Sequence, residues 1–281
     1  MQLRSRFRRR GINIFTSVNA FLSAIVGIVF LAWILYVALS RGIAAFNWAF
    51  FTELPAPPGM AGGGLANAIL GTVMITVMSS VIGIPIGLLA GIYLTEFNRS
   101  GRIADSVRFS VNMLMGVPSI LMGLFVWGLI VTTFGSFSAW AGAISLALIM
   151  LPVVARTTED MLKLVPDTFR ESVLAMGASK LRSLSIILRA AKRGLITGIL
   201  LAVARVSGET APLLFTSLNS PYWPTHPSEA TANLTVTIFN YAMSPYPDWH
   251  TKAWGASLLI TIAVLGMSIM VRLFFRQGEK R

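Results

Sequence analysis

The chain has 281 residues, 55% of them hydrophobic and 12% charged, whereas a soluble globular domain carries charge on about a quarter of its residues. That balance excludes a soluble globular domain, and the absence of cysteine excludes disulfides and thiolate metal sites. A net charge of +12 would suit a nucleic-acid binder, but no basic patch alternates with aromatic residues on a soluble module, so no nucleic acid is expected as a partner.

Uncharged apolar runs of about 20 residues, enough helix to cross a hydrocarbon core of roughly 30 Å, recur along the chain. Residues 1–17 form a basic N-terminal segment with Arg4, Arg6, Arg8, Arg9 and Arg10. The run at 18–39 exceeds the apolar stretch of a signal peptide, about 7 to 15 residues, and reads as a retained anchor. Further runs lie at 65–93, 111–134, 139–155 and 253–271, and 194–215 is apolar apart from Arg205 and Glu209. The expectation is an all-α membrane protein, one transmembrane domain over 1–281 with six transmembrane helices.

Basic residues orient these spans. With the N-terminus inside, 20 of the 23 lysines and arginines fall on the cytoplasmic side, among them Arg99, Arg102 and Arg108 between the second and third spans and eight more between the fourth and fifth. Arg41 and Lys252 fall outside and Arg205 falls within a span, a positive-inside pattern that places both termini in the cytoplasm.

Two outward segments are long. The first, "FNWAFFTELPAPPGMAGGG" at 46–64, carries Phe46, Trp48, Phe50 and Phe51, rings suited to the headgroup level, and reads as interfacial. The second, 217–251, is a periplasmic segment in which "ATANLTVTIFNYAMS" predicts a helix lying on the outer surface. His226 and His250 sit there without partners at ligand spacing and read as solvated loop residues, so no metal site is expected. Pro85, Pro118, Gly208 and Pro212 break the spans; they are gate or hinge candidates, or kinks whose freed backbone groups neighbouring helices satisfy.

The cytoplasmic loop, 156–193, reads as helical. Leu162, Val165, Phe169, Val173 and Met176 recur at three- and four-residue steps and fall on one face. Pro166 stands where a first helical residue would, Asp167 favours the positive end of the helix dipole, and Gly177 is a natural stop. The product is a helix over 166–176, about 16 Å long, fit to lie on the membrane surface or to fill a groove on a partner protein.

Arg205 stands eleven residues beyond Gly194, about 16 Å at helical rise and so half-way through a core of roughly 30 Å. Glu209 is one turn further on the same face. Two readings stay open. The pair is a salt bridge that lets both residues be buried, or Arg205 is a fixed positive charge for an anion, its planar fork matched to phosphate or carboxylate oxygens. In the second reading Glu209 orients the fork, moderates its hold or accepts a proton from the anion. Ser207, Thr210 and Thr216 then offer hydroxyls, unless these bond to the backbone.

Two resemblances extend this reading. "ESVLAMGAS" is similar to the EAA loop of ABC-importer permeases: Glu171 and Gly177 match in type and spacing, Ser172 and Val173 replace two alanines, and Arg189 and Ala190 stand where that pattern later has leucine and proline. This resemblance implies a coupling helix over 166–177 docking on an ATPase, with Pro166, Phe169, Glu171, Ser172, Met176, Gly177 and Ala178 at the contact. The stretches "TELPAPPGMAGGGLANAILGT", "GVPSI", "GILLAVARVSGETAPLLFT" and "NLTVTIFNYAMSP" resemble the permease subunits of the bacterial phosphate-specific transport (Pst) system over about residues 46 to 275. That resemblance implies a type I ABC-importer permease fold, a bacterial inner (plasma) membrane and a second permease subunit of the C type. It further implies a cytoplasmic ATPase dimer holding ATP and magnesium, an extracytoplasmic phosphate-binding protein, surrounding membrane lipid, and a role for Arg205 in phosphate passage.

No cofactor and no catalysis are expected of this chain itself, since G-x-x-x-x-G-K-[ST] does not occur and "GGGLANAILGT" lacks the lysine. A permease for sulfate or molybdate is the nearest alternative, because a guanidinium does not distinguish these oxyanions from phosphate. An intramembrane enzyme acting on phosphate-bearing lipid would need a nucleophile or metal cluster that is not visible. A self-contained channel or secondary transporter would leave the cytoplasmic helix without a partner, and no inverted repeat occurs.

Overall fold

The computed structural model describes the backbone of residues 2–276 and the side chains of residues 9–270. Arg4, Arg6, Arg8 and the C-terminal basic residues, on which part of the orientation rests, lie outside the described side chains. In chain order the helices are α1 (Gln2–Gly42), α2 (Trp48–Thr52), α3 (Ala66–Ile92), α4 (Arg102–Gly116), α5 (Ser119–Val126), α6 (Thr132–Phe134), α7 (Ala139–Lys163), α8 (Asp167–Ala175), α9 (Lys180–Val206), α10 (Ala211–Thr216), α11 (Leu234–Ala242) and α12 (Pro247–Arg276). No proline interrupts the first of these, so the basic segment and the first span make one helix of 41 residues, about 60 Å long. Among the described residues it meets the bundle at its C-terminal end, where Gly42 lies against Trp254 and Leu258 of α12.

Among the described residues four helices are long and apolar enough to cross a membrane: Arg9–Ala45, Ala66–Phe97, Ala139–Lys163 and Pro247–Met270. The run at 111–134 is not one helix. Arg102–Gly116 and Ser119–Phe134 meet at an angle of 103°, because Pro118 removes a donor and drives Val117 into extended backbone (φ −74°, ψ 130°). Counted together, the bent pair makes a fifth span. The stretch expected as the fifth span, 194–215, is likewise discontinuous: α9 ends at Val206, residues 207–210 turn, and α10 follows with Pro212 in its first turn. Pro85, by contrast, lies inside an unbroken α3.

At the centre is α7, whose spanning window is 67% buried. Against it runs a line of small residues on α3: Ser79, Gly83, Gly87 and Gly91, four apart and all buried. A Cβ on Gly87 would lie 2.8 Å from the Leu151 carbonyl oxygen, and one on Gly91 2.7 Å from that of Ala155. Small side chains let the two backbones approach where lipid supplies no hydrophobic drive. Around this seam Ile75, Met122, Leu146, Met150, Val154, Val206, Leu213 and Val236 form one apolar core drawn from α3, α5, α7, α9, α10 and α11.

Two outer elements differ from expectation. The helix predicted on the outer surface is α11, and Leu234, Thr235, Val236, Thr237 and Tyr241 are buried in the bundle. It enters because α3 accommodates it: Thr72 Oγ1 accepts the Leu234 N–H at 2.8 Å, and Gly71 lies against the Ala232 carbonyl. In the 46–64 segment Trp48 is exposed as expected, but Phe50 is 1% exposed and packs with Phe46 and Phe51 into a ring cluster with centroids 5.0 to 5.4 Å apart.

Candidate functional site

The end of α9 is built from tightened backbone bonds. Ser207 N–H still donates to the Val203 carbonyl four residues back at 3.0 Å, whereas Gly208 donates to Arg205 at 3.3 Å and Glu209 to Val206 at 3.1 Å, the three-residue pattern that closes a last turn. Arg205 thus occupies the final turn of α9, where the carbonyl dipoles favour a cation. Glu209 is in the turn beyond the helix, not one turn further along it, so the expected i,i+4 face does not exist. Neither side chain makes an ion pair or hydrogen bond among the described residues, Arg205 is exposed and Glu209 half-buried. The cause is local: Gly208 and Pro212 end one helix and start another within a single turn's length.

This turn is held from the side by α11. The single hydroxyl hydrogen of Thr235 is shared between the Glu209 carbonyl at 2.8 Å and Asn233 Oδ1 at 2.9 Å, while that same Asn233 oxygen accepts the Val236 N–H and caps α11. Two of the three candidate hydroxyls serve the backbone: Ser207 donates to Ala204 and the fully buried Thr216 to Pro212, each at 2.8 Å. Thr210 is half-buried, and its hydroxyl makes no bond among the described residues. Two of the three proline candidates are brought to one element, since Gly123 of α5 lies so close to Pro212 that a Cβ would sit 2.5 Å from its Cα, and Pro118 caps the start of the same α5.

Between α7 and α9 the expected short helix is α8. Pro166 is its N-cap, with extended ψ of 145°, and not its first helical residue. Met176 is the C-cap, and Gly177 follows at φ +81° with nothing within 4 Å of a Cβ. Glycine is there for backbone conformation, not for space. The buried face is Arg170 and Val173. Phe169 and Met176, expected on that face, are exposed with Pro166, Glu171, Ser172 and Gly177, and Ala178 is half-buried.

Beneath α8 lies a charged network that sequence reasoning missed. Glu159 of α7 is 1% exposed and accepts from Arg108 of α4 at 2.8 Å and Lys163 at 2.7 Å. Arg108 also donates to the Leu94 and Arg99 carbonyls at 3.1 and 3.0 Å, and Arg99 to the Thr95 carbonyl and Asp167 carboxylate, each at 2.8 Å. Arg170 bonds to the Glu96 carboxylate and, at 2.5 Å, to the Leu162 carbonyl. Arginines therefore supply side-chain donors to carbonyls of the turn that follows α3 and to the Leu162 carbonyl near the end of α7. These groups border a cavity of about 460 Å³ lined by Leu94, Thr95, Lys163 and Val165 together with the arginines and Asp167.

With this architecture in hand, residues 83–281 match the family described as binding-protein-dependent transport system inner membrane component. The chain belongs to this family of transport permeases. Among its relatives, the phosphate transport system permease protein PstA of Yersinia pestis is 48% identical over 272 residues, covering 96% of this chain and 92% of that protein. The protein of the same description from Haemophilus influenzae is 46% identical, with 92% of each covered. The MetNI methionine ABC transporter, solved in inward facing conformations, superimposes with a TM-score of 0.62 at 20% identity over 76% of this chain and 95% of that one, a likeness that establishes the fold alone. The permease has the type I ABC-importer fold, and it is a transporter subunit, not an enzyme.

Proposed function

We propose that this permease is one of two membrane subunits of an ATP-driven importer of inorganic phosphate in the bacterial inner membrane. The observation that carries the reading is 48% identity to a phosphate transport permease across nearly the whole chain. The site chemistry agrees with it. A guanidinium without a partner among the described residues ends the apolar half of α9 on an exposed face, one turn beyond exposed Leu201. Facing lipid, an arginine at that depth would cost about 3 kcal/mol on insertion scales, so this face belongs against the second permease subunit, where a wetted path lets the fork engage phosphate oxygens.

Hydrolysis is assigned to a cytoplasmic ATPase dimer that binds ATP and magnesium and docks on the exposed residues of α8; an extracytoplasmic phosphate-binding protein delivers the anion. Uptake of labelled phosphate by the reconstituted complex in liposomes tests the substrate. Uptake is expected to persist in excess sulfate or molybdate, and equal displacement by either would transfer the assignment to that oxyanion.

A second measurement tests the docking surface. At φ +81° a side chain is strained by about 1 kcal/mol or more, and an acidic group would add charge to the contact. Gly177→Asp is therefore expected to strip the ATPase from the purified complex, or to leave it hydrolysing without uptake. Undiminished ATPase recovery together with normal uptake would place docking elsewhere.

A further inference from the structure

We infer that Arg170 is a positioning residue that links α8 to α3, so that displacement of α8 reaches the α3–α4 side of the bundle as well as the flanking α7 and α9. The inference rests on the reading of α8 as the ATPase-docking element. Chain connectivity already ties α8 to α7 and α9, through residues 164–166 and 176–179. Nothing in the connectivity ties it to α3. The buried face of α8 consists of Val173, an apolar contact that can slide, and Arg170, which cannot.

The guanidinium of Arg170 gives one nitrogen to the Glu96 carboxylate and another to the Leu162 carbonyl. One rigid, planar group therefore grips the C-terminal end of α7 and the π-helical turn Tyr93–Phe97 that ends α3, and its fork fixes direction as well as distance. That turn is itself braced. Its Leu94 and Thr95 carbonyls are held by Arg108 and Arg99, and Arg108 is anchored on buried Glu159. A push on α8 meets a stiff receiver, while the adjoining cavity leaves room for the pair to shift.

Stability alone does not account for the arrangement. Arg170 is 7% exposed, and its Nε is buried without a hydrogen-bond partner, 3.3 Å from Asp167. Apolar residues of similar volume commonly fill such a place with no loss of stability. What they cannot supply is a directional link between segments 74 residues apart in sequence.

The chain has no cysteine of its own, which makes a replaceable link practical. Glu96→Cys and Arg170→Cys would be combined, and phosphate moved per ATP hydrolysed measured in the reconstituted complex before and after treatment with a bifunctional methanethiosulfonate, with the wild-type complex treated in parallel. Before treatment the ratio is expected to fall about tenfold, within the usual range of coupling energies. After cross-linking, most of it is expected to return, and reduction should abolish it again. Arg170→Lys, which keeps charge without the fork, is expected to fall between. A wild-type ratio before treatment, a verified cross-link without recovery, or no cross-link between the two cysteines would each overturn the inference. Failure of the underlying reading looks different: the wild-type complex would move no phosphate or hold no ATPase.

Discussion

Gly87→Leu is expected to prevent accumulation of folded permease in the membrane. The position is one of four small residues on α3 that set its spacing from α7, and even a methyl group there would meet the Leu151 carbonyl oxygen and Val154 Cβ at 2.8 Å. Neither obstacle is the free end of a flexible side chain, so relief requires α3 and α7 to separate. Separation would also withdraw contacts around Ile75, Met150 and Val154 in the central core. Overpacking by single methylenes costs about 1–3 kcal/mol; a full leucine side chain against backbone exceeds that range and approaches the whole stability of a domain, roughly 5–15 kcal/mol. Gly266→Leu is the matched control, because α12 offers open space at that glycine and leucine is the better helix former by about 0.5–1 kcal/mol. Yield and thermal melting in detergent check both. If Gly87→Leu were recovered at the level and melting temperature of Gly266→Leu, the glycine seam would not set the α3–α7 distance.

The elements that sequence makes legible here are those whose information is local. α8 is an example: the extended proline at 166, the acid at 167 and the glycine at 177 are cap chemistry, and the helix lies within one residue of the expected 166–176 at each end. Long apolar runs are legible for the same reason. What periodicity does not carry is a break inside an apolar run. At 207–210 the signals were present in Gly208 and Pro212, but in a bilayer a break is permitted only where other groups take up the freed backbone, and the group that does so is Thr235, 26 residues away.

The same limit explains α11 and the charged network beneath α8. Thr235 and Thr237 give α11 the polar look of a surface helix, yet both are buried, and the former's hydroxyl belongs to the turn after α9. Glu159 and Lys163 are visible as an i,i+4 pair on one helix, whereas Arg108 joins them from 51 residues away and Arg170 finds Glu96 across 74. In the charge count these arginines serve only to orient the protein. In the fold they also donate to carbonyls in the turn after α3 and near the end of α7, a use that depends on which helix ends meet.

Arg205→Ala is expected to reduce phosphate uptake about a hundredfold while the complex still assembles with its ATPase. A bond to a charged group is worth roughly 1.5–3 kcal/mol, and each 1.4 kcal/mol is a factor of ten, so loss of a forked contact to an oxyanion falls in that range. Assembly should survive because Arg205 supports nothing else within its own chain: its side chain holds no carbonyl and no carboxylate among the described residues, unlike Arg99, Arg108 and Arg170. Arg205→Lys separates charge from shape. A lysine restores the positive charge as a point without the planar fork, and an intermediate loss of about tenfold is expected from the single bond that remains. Glu209→Gln completes the set, since a carboxylate without a partner among the described residues can steady the guanidinium or speed release of the anion only when the path is assembled. If it speeds release, the glutamine variant binds phosphate more tightly and turns over more slowly; if it steadies the fork, both binding and turnover fall. Uptake at the wild-type rate in Arg205→Ala would remove the guanidinium from the path altogether and leave its exposure at the end of α9 as a matter of packing against the second subunit.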